Sequence, residues 1–474
     1  MSHPLRKTKI VATIGPACDG VDVLARMIEA GMNVARLNMS HEDHESHRRR
    51  LESVRQAGER VGVMVATMMD TKGAEIRTGT VAQGVVIRPG ALFSLFAADI
   101  LGDEAGVSIS YPALVERLEP GTRVLIDDGH LELEVETVRP GELTCRVLRG
   151  GPLESHKGVN VPSVSLLLDG LNDANRADLA FAVDAGIDYI AASFMQSADD
   201  VTAIRDFLAE HGGEHIPIIA KIESTDGIVN LDAIIEVADG TMVARGDLGV
   251  EISAANVPVA QKRIIRHTVG AGKPVITATQ MLDSMERNPE ATRAEASDVV
   301  NAVLDGTSAV MLSGETARGR YPVEAVQSMA ELASVAEASL REYGYLQQIS
   351  AHPTARVTDA VSRAASEMAN HLAARAILTL TESGFTSRQI SKYRPRCPIL
   401  AATRSPQVAR RLALNWGVTA WLNEDAASDE EKLEHALTWA SDRGYLRGGD
   451  TVVVTAGISS EAGSTSTIRV ITVP

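Results

Sequence analysis

A chain of 474 residues is long enough for roughly two to four domains and a large core, which the 3% aromatic content makes mostly aliphatic. With 45% hydrophobic and 23% charged residues it has the balance of a soluble globular protein, and a net charge of −16 argues against nucleic acid as a partner. No apolar run reaches membrane-spanning length, MSHPLRKTKI lacks a signal-peptide core, and the three cysteines, Cys18, Cys145 and Cys397, form no CxxC; a cytoplasmic protein with free thiols and no membrane partner is expected.

The first element is a strand, IVATI, which runs into a Gly-Pro turn. VDVLARMIEAG follows as a helix closed by Gly31. A strand spans Met32–Ser40, with Arg36, Asn38 and Ser40 on one face. A charged helix over about Glu42–Arg60 leads to a third strand ending at Asp70, Thr71 and Lys72. Such near-continuous apolar strands, alternating with helices, are typical of a parallel sheet buried on both faces.

From about Thr78 to Ser165 the pattern becomes all-β, with period-two alternation broken by Pro-Gly and Asp-Asp-Gly turns. This reads as an inserted β domain attached at two points, suited to act as a lid. The βα rhythm resumes with a helix near Asn175–Ala185 and the strands IDYIAASF, IPIIAKIES, TMVARGDLG, PVITATQML and TSAVMLSGETA. Eight strands ending in polar residues predict a closed (β/α)8 TIM barrel with its active site at the C-terminal strand ends. An open doubly wound sheet is the competing architecture. After a long helix at about Pro322–Gly344, a C-terminal α/β domain with an open sheet is expected. The predicted boundaries are 1–72 and 166–344 for the barrel, 73–165 for the lid and 345–474 for the C-terminal domain.

The chemistry concentrates at strand ends. Lys221 and Glu223 lie two apart and point the same way. Glu223 and Asp247 are expected to meet across neighbouring strands and hold a divalent metal through oxygen, with Lys221 as a fixed positive charge beside it. A surface salt bridge is the plain alternative, set aside because charged strand ends recur along the chain. Arg36, Asn38 and Ser40 suit a phosphate and a cation, and Asp70-Thr71-Lys72-Gly73 ends the adjacent strand. Thr277, Thr279 and Met281 are read as one face of the seventh strand, where threonine is otherwise ordinary β propensity. GAGKP at Gly270–Pro274 lacks the residues of a phosphate loop and reads as a turn. His41, His44 and His47 read as a solvated helical face, with His41 the exception beside Ser40. In the C-terminal domain ESGFTS opens a helix and GSTST precedes the last strand; hydroxyls there suit either a phosphate or ordinary capping.

In order, TKIVATIGPA, MNVARLNMSH, DTKGAEIRTG, KGVNVP, AKIES, MVARGDLGVEI, ITATQMLDSM, NPEATRAEASDVVNAVLDGTSAVMLSGETA and SKYRP resemble segments of the pyruvate kinase family over nearly the whole chain. The resemblance implies a β-barrel lid inserted after the third strand of the TIM barrel, and phosphoryl transfer from phosphoenolpyruvate to ADP, giving pyruvate and ATP, with Mg2+ (or Mn2+) and K+ as cofactors. It implies Arg36, Lys221 and Thr279 as catalytic residues, and Gly246 and Asp247 with them around phosphoenolpyruvate. Glu223 and Asp247 match the divalent-metal ligands, and Asn38, Ser40, Asp70 and Thr71 the potassium site. Asn38, His41, Arg77 and Lys157 match nucleotide contacts. Glu75 implies dependence on potassium. Thr381, Ser383, Gly384, Thr386, Ser387, Ser464 and Thr465 match an effector loop. Glu382 and Phe385 stand where smaller hydroxyl residues are common, which favours AMP or a monophosphorylated sugar over fructose 1,6-bisphosphate. A homotetramer is also implied. The chain departs from the family at Ala74, where proline is usual, and at Glu42, where glycine is usual. A magnesium-dependent aldolase or lyase and a non-catalytic binding protein are the rival readings.

Overall fold

The computed structural model describes residues 6–73, 76–127, 129–162, 164, 171–344, 356–423, 428–457 and 465–474. Eight parallel strands close into a barrel: β1 Lys9–Thr13, β2 Val34–Asn38, β3 Ala66–Asp70, β4 Tyr189–Ala192, β5 Ile218–Ile222, β6 Gly240–Ala244, β7 Val275–Ala278 and β8 Ala309–Leu312. The competing open sheet is excluded by the pairing of β1 with both β2 and β8.

Alternation sorts each strand. Ile10, Ala35, Met69, Ile190, Ile218 and Val243 join the core shared with the surrounding helices. Val11, Val34, Met68, Ala191, Ile219, Met242, Ile276 and Met311 fill the barrel interior. One step further along each inward face come Thr13, Arg36, Asp70, Ser193 and Lys221. The aliphatic interior thus gives way to a polar layer at the C-terminal end, in register across neighbouring strands, Asn38 opposite Asp70 among them.

Several helices follow their sequence signals closely. Val21–Ala30 ends at Gly31, whose φ of 121° and N–H bonds to the Met27 and Ile28 carbonyls make the expected cap. The charged helix starts at His44, with the Asp43 carboxylate capping the Ser46 N–H. GAGKP is the turn between helix Val257–Gly270 and β7. The solvated reading of the histidines fails at His47, which is buried with Nε2 against the His41 carbonyl oxygen at 2.8 Å. His44 stacks on Phe181 and meets Asp178 at 2.6 Å, and His41 lies before the helix.

Between β3 and β4 the inserted segment forms a seven-stranded sheet with its own core of Phe93, Leu95, Val124, Ile126 and Leu133. An isolated bridge between Thr78 and Ile109 joins strand Ile76–Arg77 to strand Gly106–Ser108, the two edges of that sheet. Its entry and exit segments pair directly, Arg77 opposite Gly158. The C-terminal sheet runs β11 Val418–Leu422, β10 Ile399–Thr403, β9 Ala376–Leu380, β12 Thr451–Gly457 and β13 Thr465–Thr472, parallel except for β13. This unit docks on the N-terminal mouth of the barrel. Leu414 joins the barrel-interior core from below. The Tyr189 hydroxyl donates to the Arg411 carbonyl at 2.5 Å, and Arg394 donates to the Gly306 carbonyl at 2.8 Å.

Candidate active site

The polar layer is a connected network. Arg36 donates from Nε to Asp70 Oδ2 at 2.7 Å and from Nη1 to Thr13 Oγ1 at 2.9 Å. Lys221 Nζ lies 2.9 Å from Asp70 Oδ1, 2.7 Å from Ser193 Oγ and 3.0 Å from Glu223 Oε1. Two cations and two carboxylates therefore alternate in a buried row, Arg36–Asp70–Lys221–Glu223. Breaking such a row by removing one member leaves a charge buried without compensation.

The electrostatics follow from burial and neighbours. Burial pushes Asp70 up, but Arg36 and Lys221 outweigh it and hold the carboxyl below its ordinary range. Burial opposes the Lys221 charge, yet Asp70 and Glu223 raise its pKa well above the ordinary lysine value. Glu223 is pushed up to about 7 by burial, against Lys221 and with Asp247 adding repulsion. Its Oε2 takes the Phe194 N–H at 2.6 Å, while buried Oε1 stands in the ion pair with Lys221 at 3.0 Å and in no hydrogen bond among the described residues.

A buried carboxylate oxygen with no hydrogen bond, close enough to Asp247 to feel its repulsion, fits a divalent cation with oxygen ligands. Among the described residues no group of three or more His, Cys, Asp or Glu is placed to hold a metal ion. Ser40 N–H donates to Asn38 Oδ1 at 3.2 Å, and Ser193 Oγ donates to the Thr71 carbonyl at 2.7 Å. Asp70, which lies opposite Asn38 across the strands, has both carboxylate oxygens paired, with Arg36 and with Lys221.

Two expectations need correction. Asp247 does not end a strand: β6 stops at Ala244, and Gly246 and Asp247 form the first turn of helix Arg245–Ile252. Their backbone N–H groups therefore lie at a helix N-terminus, a position that favours negative charge. Thr277, Thr279 and Met281 do not share a strand face either. Thr277 bonds Thr307 away from the barrel interior at 2.9 Å, and β7 ends at Ala278. Thr279 has φ of +73° and Gln280 +55°, a left-handed turn that is costly for a β-branched residue. The turn brings Thr279 against Gly246, where an added Cβ would lie 3.1 Å from Thr279 Cγ2.

The fold and this network have clear relatives. The family model for the pyruvate kinase barrel domain matches residues 5–326, and that for the pyruvate kinase alpha/beta domain matches 359–471. A pyruvate kinase of Geobacillus stearothermophilus is 49% identical, the match covering 98% of this chain and 80% of that protein. One of Clostridium acetobutylicum is 44% identical over 98% of this chain and 99% of its own length. The chain belongs to the pyruvate kinase family. Membership makes it a phosphotransferase.

Sequence reasoning missed Ser193 and Phe194, although AASF ends the fourth strand in the same polar fashion as the others. Phe194, at φ +55°, aims its N–H at Glu223. It also left Arg245 without a role. The Arg245 guanidinium donates to the Thr279 carbonyl at 2.7 Å and pairs with Asp298 at 2.8 Å. Glu42 adopts φ of +66°, the conformation that glycine favours, and is held by Arg50 at 2.8 Å.

The remaining candidates lie elsewhere. His41 is exposed above β2. Arg77 donates to the His156 carbonyl at 2.9 Å, and Lys157 pairs with Asp127 and Glu154 at 3.1 and 3.0 Å, all within the inserted sheet. In the C-terminal unit Thr381 Oγ1 takes the Gly384 N–H at 3.0 Å, Ser387 bonds Thr379 at 2.7 Å, and the Thr386 and Thr465 hydroxyls bond each other. Phe385 N–H meets Ser383 Oγ at 3.4 Å. The two hydroxyl-rich stretches are thus neighbours. Ala74, Glu75 and Ser464 lie outside the described residues. No described helix is long and apolar enough to cross a membrane.

Proposed function

We propose that the protein transfers the phosphoryl group of phosphoenolpyruvate to ADP at the C-terminal mouth of the barrel, giving pyruvate and ATP. The observation that carries this reading is the buried row Arg36–Asp70–Lys221–Glu223, with helix Arg245–Ile252 beside it. A phosphoryl transition state spreads negative charge over its oxygens and needs positioning and positive charge rather than a protein nucleophile.

In this reading Arg36 holds the phosphate of phosphoenolpyruvate with its planar fork. Lys221 stabilises the phosphoryl group in flight, kept charged and aimed by Asp70 and Ser193. The N–H groups of Gly246 and Asp247 receive the substrate carboxylate, and Thr279 borders it. Glu223 and Asp247 would hold a divalent Mg2+ or Mn2+, which would supply positive charge to the transferring group. A potassium ion among Asn38, Ser40, Asp70 and Thr71 adds a further fixed charge. An oxygen of the ADP β-phosphate attacks phosphorus, the bond from phosphorus to the enol oxygen breaks, and the enolate carbon then takes a proton delivered by Thr279 or a water it holds. Asn38, His41, Arg77 and Lys157 contact the nucleotide. Lys157 then exchanges its present carboxylate partners for phosphate as the inserted sheet, residues 73–165, closes over the barrel of 1–72 and 166–344. The C-terminal domain, 345–474, takes AMP or a monophosphorylated sugar at its hydroxyl loop, and the assembly is a cytoplasmic homotetramer.

Pyruvate formation from phosphoenolpyruvate and ADP tests this directly. Activity that requires both a divalent cation and potassium is expected. A folded protein with no turnover under any combination of these ions and sugar phosphates would overturn it.

A further inference from the structure

The C-terminal unit meets the underside of the barrel around a cavity of about 370 Å³, at the opposite end from the active site. The volume is in the range that holds a small metabolite. Its walls bring together Tyr189, Arg205, Asp239 and Lys273 from the barrel and Phe385, Arg388 and Arg411 from the C-terminal unit.

Charge is unevenly satisfied there. Arg205 pairs with Asp239 at 2.7 Å, and Lys273 is spent on the Ile235 and Ala238 carbonyls at 2.5 Å each. Among the described residues Arg388 makes a long bond to the Ser383 carbonyl, at 3.3 Å, and lies over the Phe385 ring at 5.8 Å. Arg411 has Nε and Nη2 both buried and with no hydrogen-bond partner among the described residues. Burial draws both guanidiniums below the ordinary arginine value, opposed by the nearby Tyr189 phenol and, more weakly, by Asp239 for Arg388 and Asp188 for Arg411. Buried donors are ordinarily satisfied, so orphaned ones on a side chain that borders a cavity mark a place for an acceptor. A planar fork matches phosphate oxygens better than a point charge does. Asp239 on the facing wall offers acceptors to hydroxyls, and Phe385 an apolar surface.

We propose that this cavity binds a small phosphomonoester through Arg388 and Arg411. The site goes beyond the phosphotransfer reading. It shares Ser383 with the hydroxyl loop but is not lined by the Thr386–Thr465 hydroxyl pair. A ligand here bridges helices Phe385–Lys392 and Pro406–Leu412 to the barrel strands they rest on, and so ties the two units together.

Hydrogen exchange on the full chain reads the site locally, away from phosphate bound at the barrel mouth. Inorganic phosphate or glycerol 3-phosphate at millimolar concentration should slow exchange in Phe385–Lys392 and Pro406–Leu412 relative to chloride at matched ionic strength. Arg411→Gln should weaken that protection about tenfold or more in apparent Kd. Thr386→Val should leave it intact. Arg411→Lys, which keeps the charge and loses the fork, serves if the glutamine variant does not fold, and should also weaken it. Absence of slowing in the wild type with either anion, or equal slowing in the folded Arg411 variant, would overturn the proposal.

Discussion

The Arg245 guanidinium donates to the carbonyl oxygen of Thr279 at 2.7 Å while Thr279 holds φ at +73°. A β-branched residue in that region stores about 1–3 kcal/mol and persists only where its surroundings insist on it. Arg245 supplies that insistence, since it also reaches the Ala278 carbonyl at 3.1 Å and is anchored on Asp298. It begins the helix that carries Gly246 and Asp247, so one side chain ties the anion-binding turn to Thr279. Arg245→Lys keeps the charge and loses the fork; turnover is expected to fall about tenfold or more with the fold retained. Steady-state kinetics beside circular dichroism check this, and wild-type turnover in the lysine variant would refute the coupling.

Lys221 and Glu223 should separate chemistry from metal affinity. Lys221→Met removes the charge aimed at the transferring group, and a loss of roughly 10²–10³-fold in kcat is expected. The same change leaves Asp70 with Arg36 alone and strips Glu223 of its cation, so thermal stability should also fall. Glu223→Gln keeps the Phe194 contact but weakens divalent binding. Titration with Mn2+ followed by paramagnetic resonance should show a lower affinity, and an unchanged affinity would remove Glu223 from the ligand set.

Lys9 predicts a pH dependence of stability. Its Nζ donates to the Val418 carbonyl at 2.6 Å where the C-terminal sheet meets the barrel. Burial, with Arg6 adding and Glu337 opposing, lowers its pKa to about 7 from 10.5. Between those values the unfolded chain binds the proton and the native one does not, so stability rises with pH across that window. The slope from this one group approaches about 1.4 kcal/mol per pH unit. The urea midpoint of the wild type should climb between neutral and alkaline pH relative to Lys9→Met. Parallel curves for the two proteins would show that Lys9 stays charged in the folded state.

The parts of this site that were legible in the sequence are those written in side-chain period. Ile219, Lys221 and Glu223 alternate, so the inward face could be read from spacing alone, as could Arg36 with Asn38. What spacing does not encode is the sign of φ. The period-two pattern runs through Thr279 and predicts an extended strand there, yet the backbone turns left-handed and redirects the side chain. Asp247 reads as strand for the same reason, since nothing in VARGDLG marks where β6 stops and the helix begins. Ser193 needed the third dimension. Its hydroxyl matters because it lies between Asp70 and Lys221, two residues distant in sequence from it and from each other. His47 shows the opposite error: a polar residue on a charged helix was read as solvated, but its face packs inward.

The hydroxyl loop of the C-terminal unit offers a last test, in which regulation and catalysis come apart. Thr381 fixes the Gly384 turn at φ +75°, and helix Phe385–Lys392 starts there with the Thr386 hydroxyl against that of Thr465. An anion entering between these stretches would compete for the same donors. Thr386→Glu places a carboxylate at that point, and Thr386→Val removes the hydroxyl with little change in volume. Both lie far from the barrel mouth, so activity without effector should stay near the wild-type value. Stimulation by AMP or a monophosphorylated sugar should vanish in the glutamate variant and weaken in the valine variant. Rate measurements at subsaturating phosphoenolpyruvate, with and without the effector, distinguish the outcomes. Full stimulation in the folded glutamate variant would place the effector outside this loop.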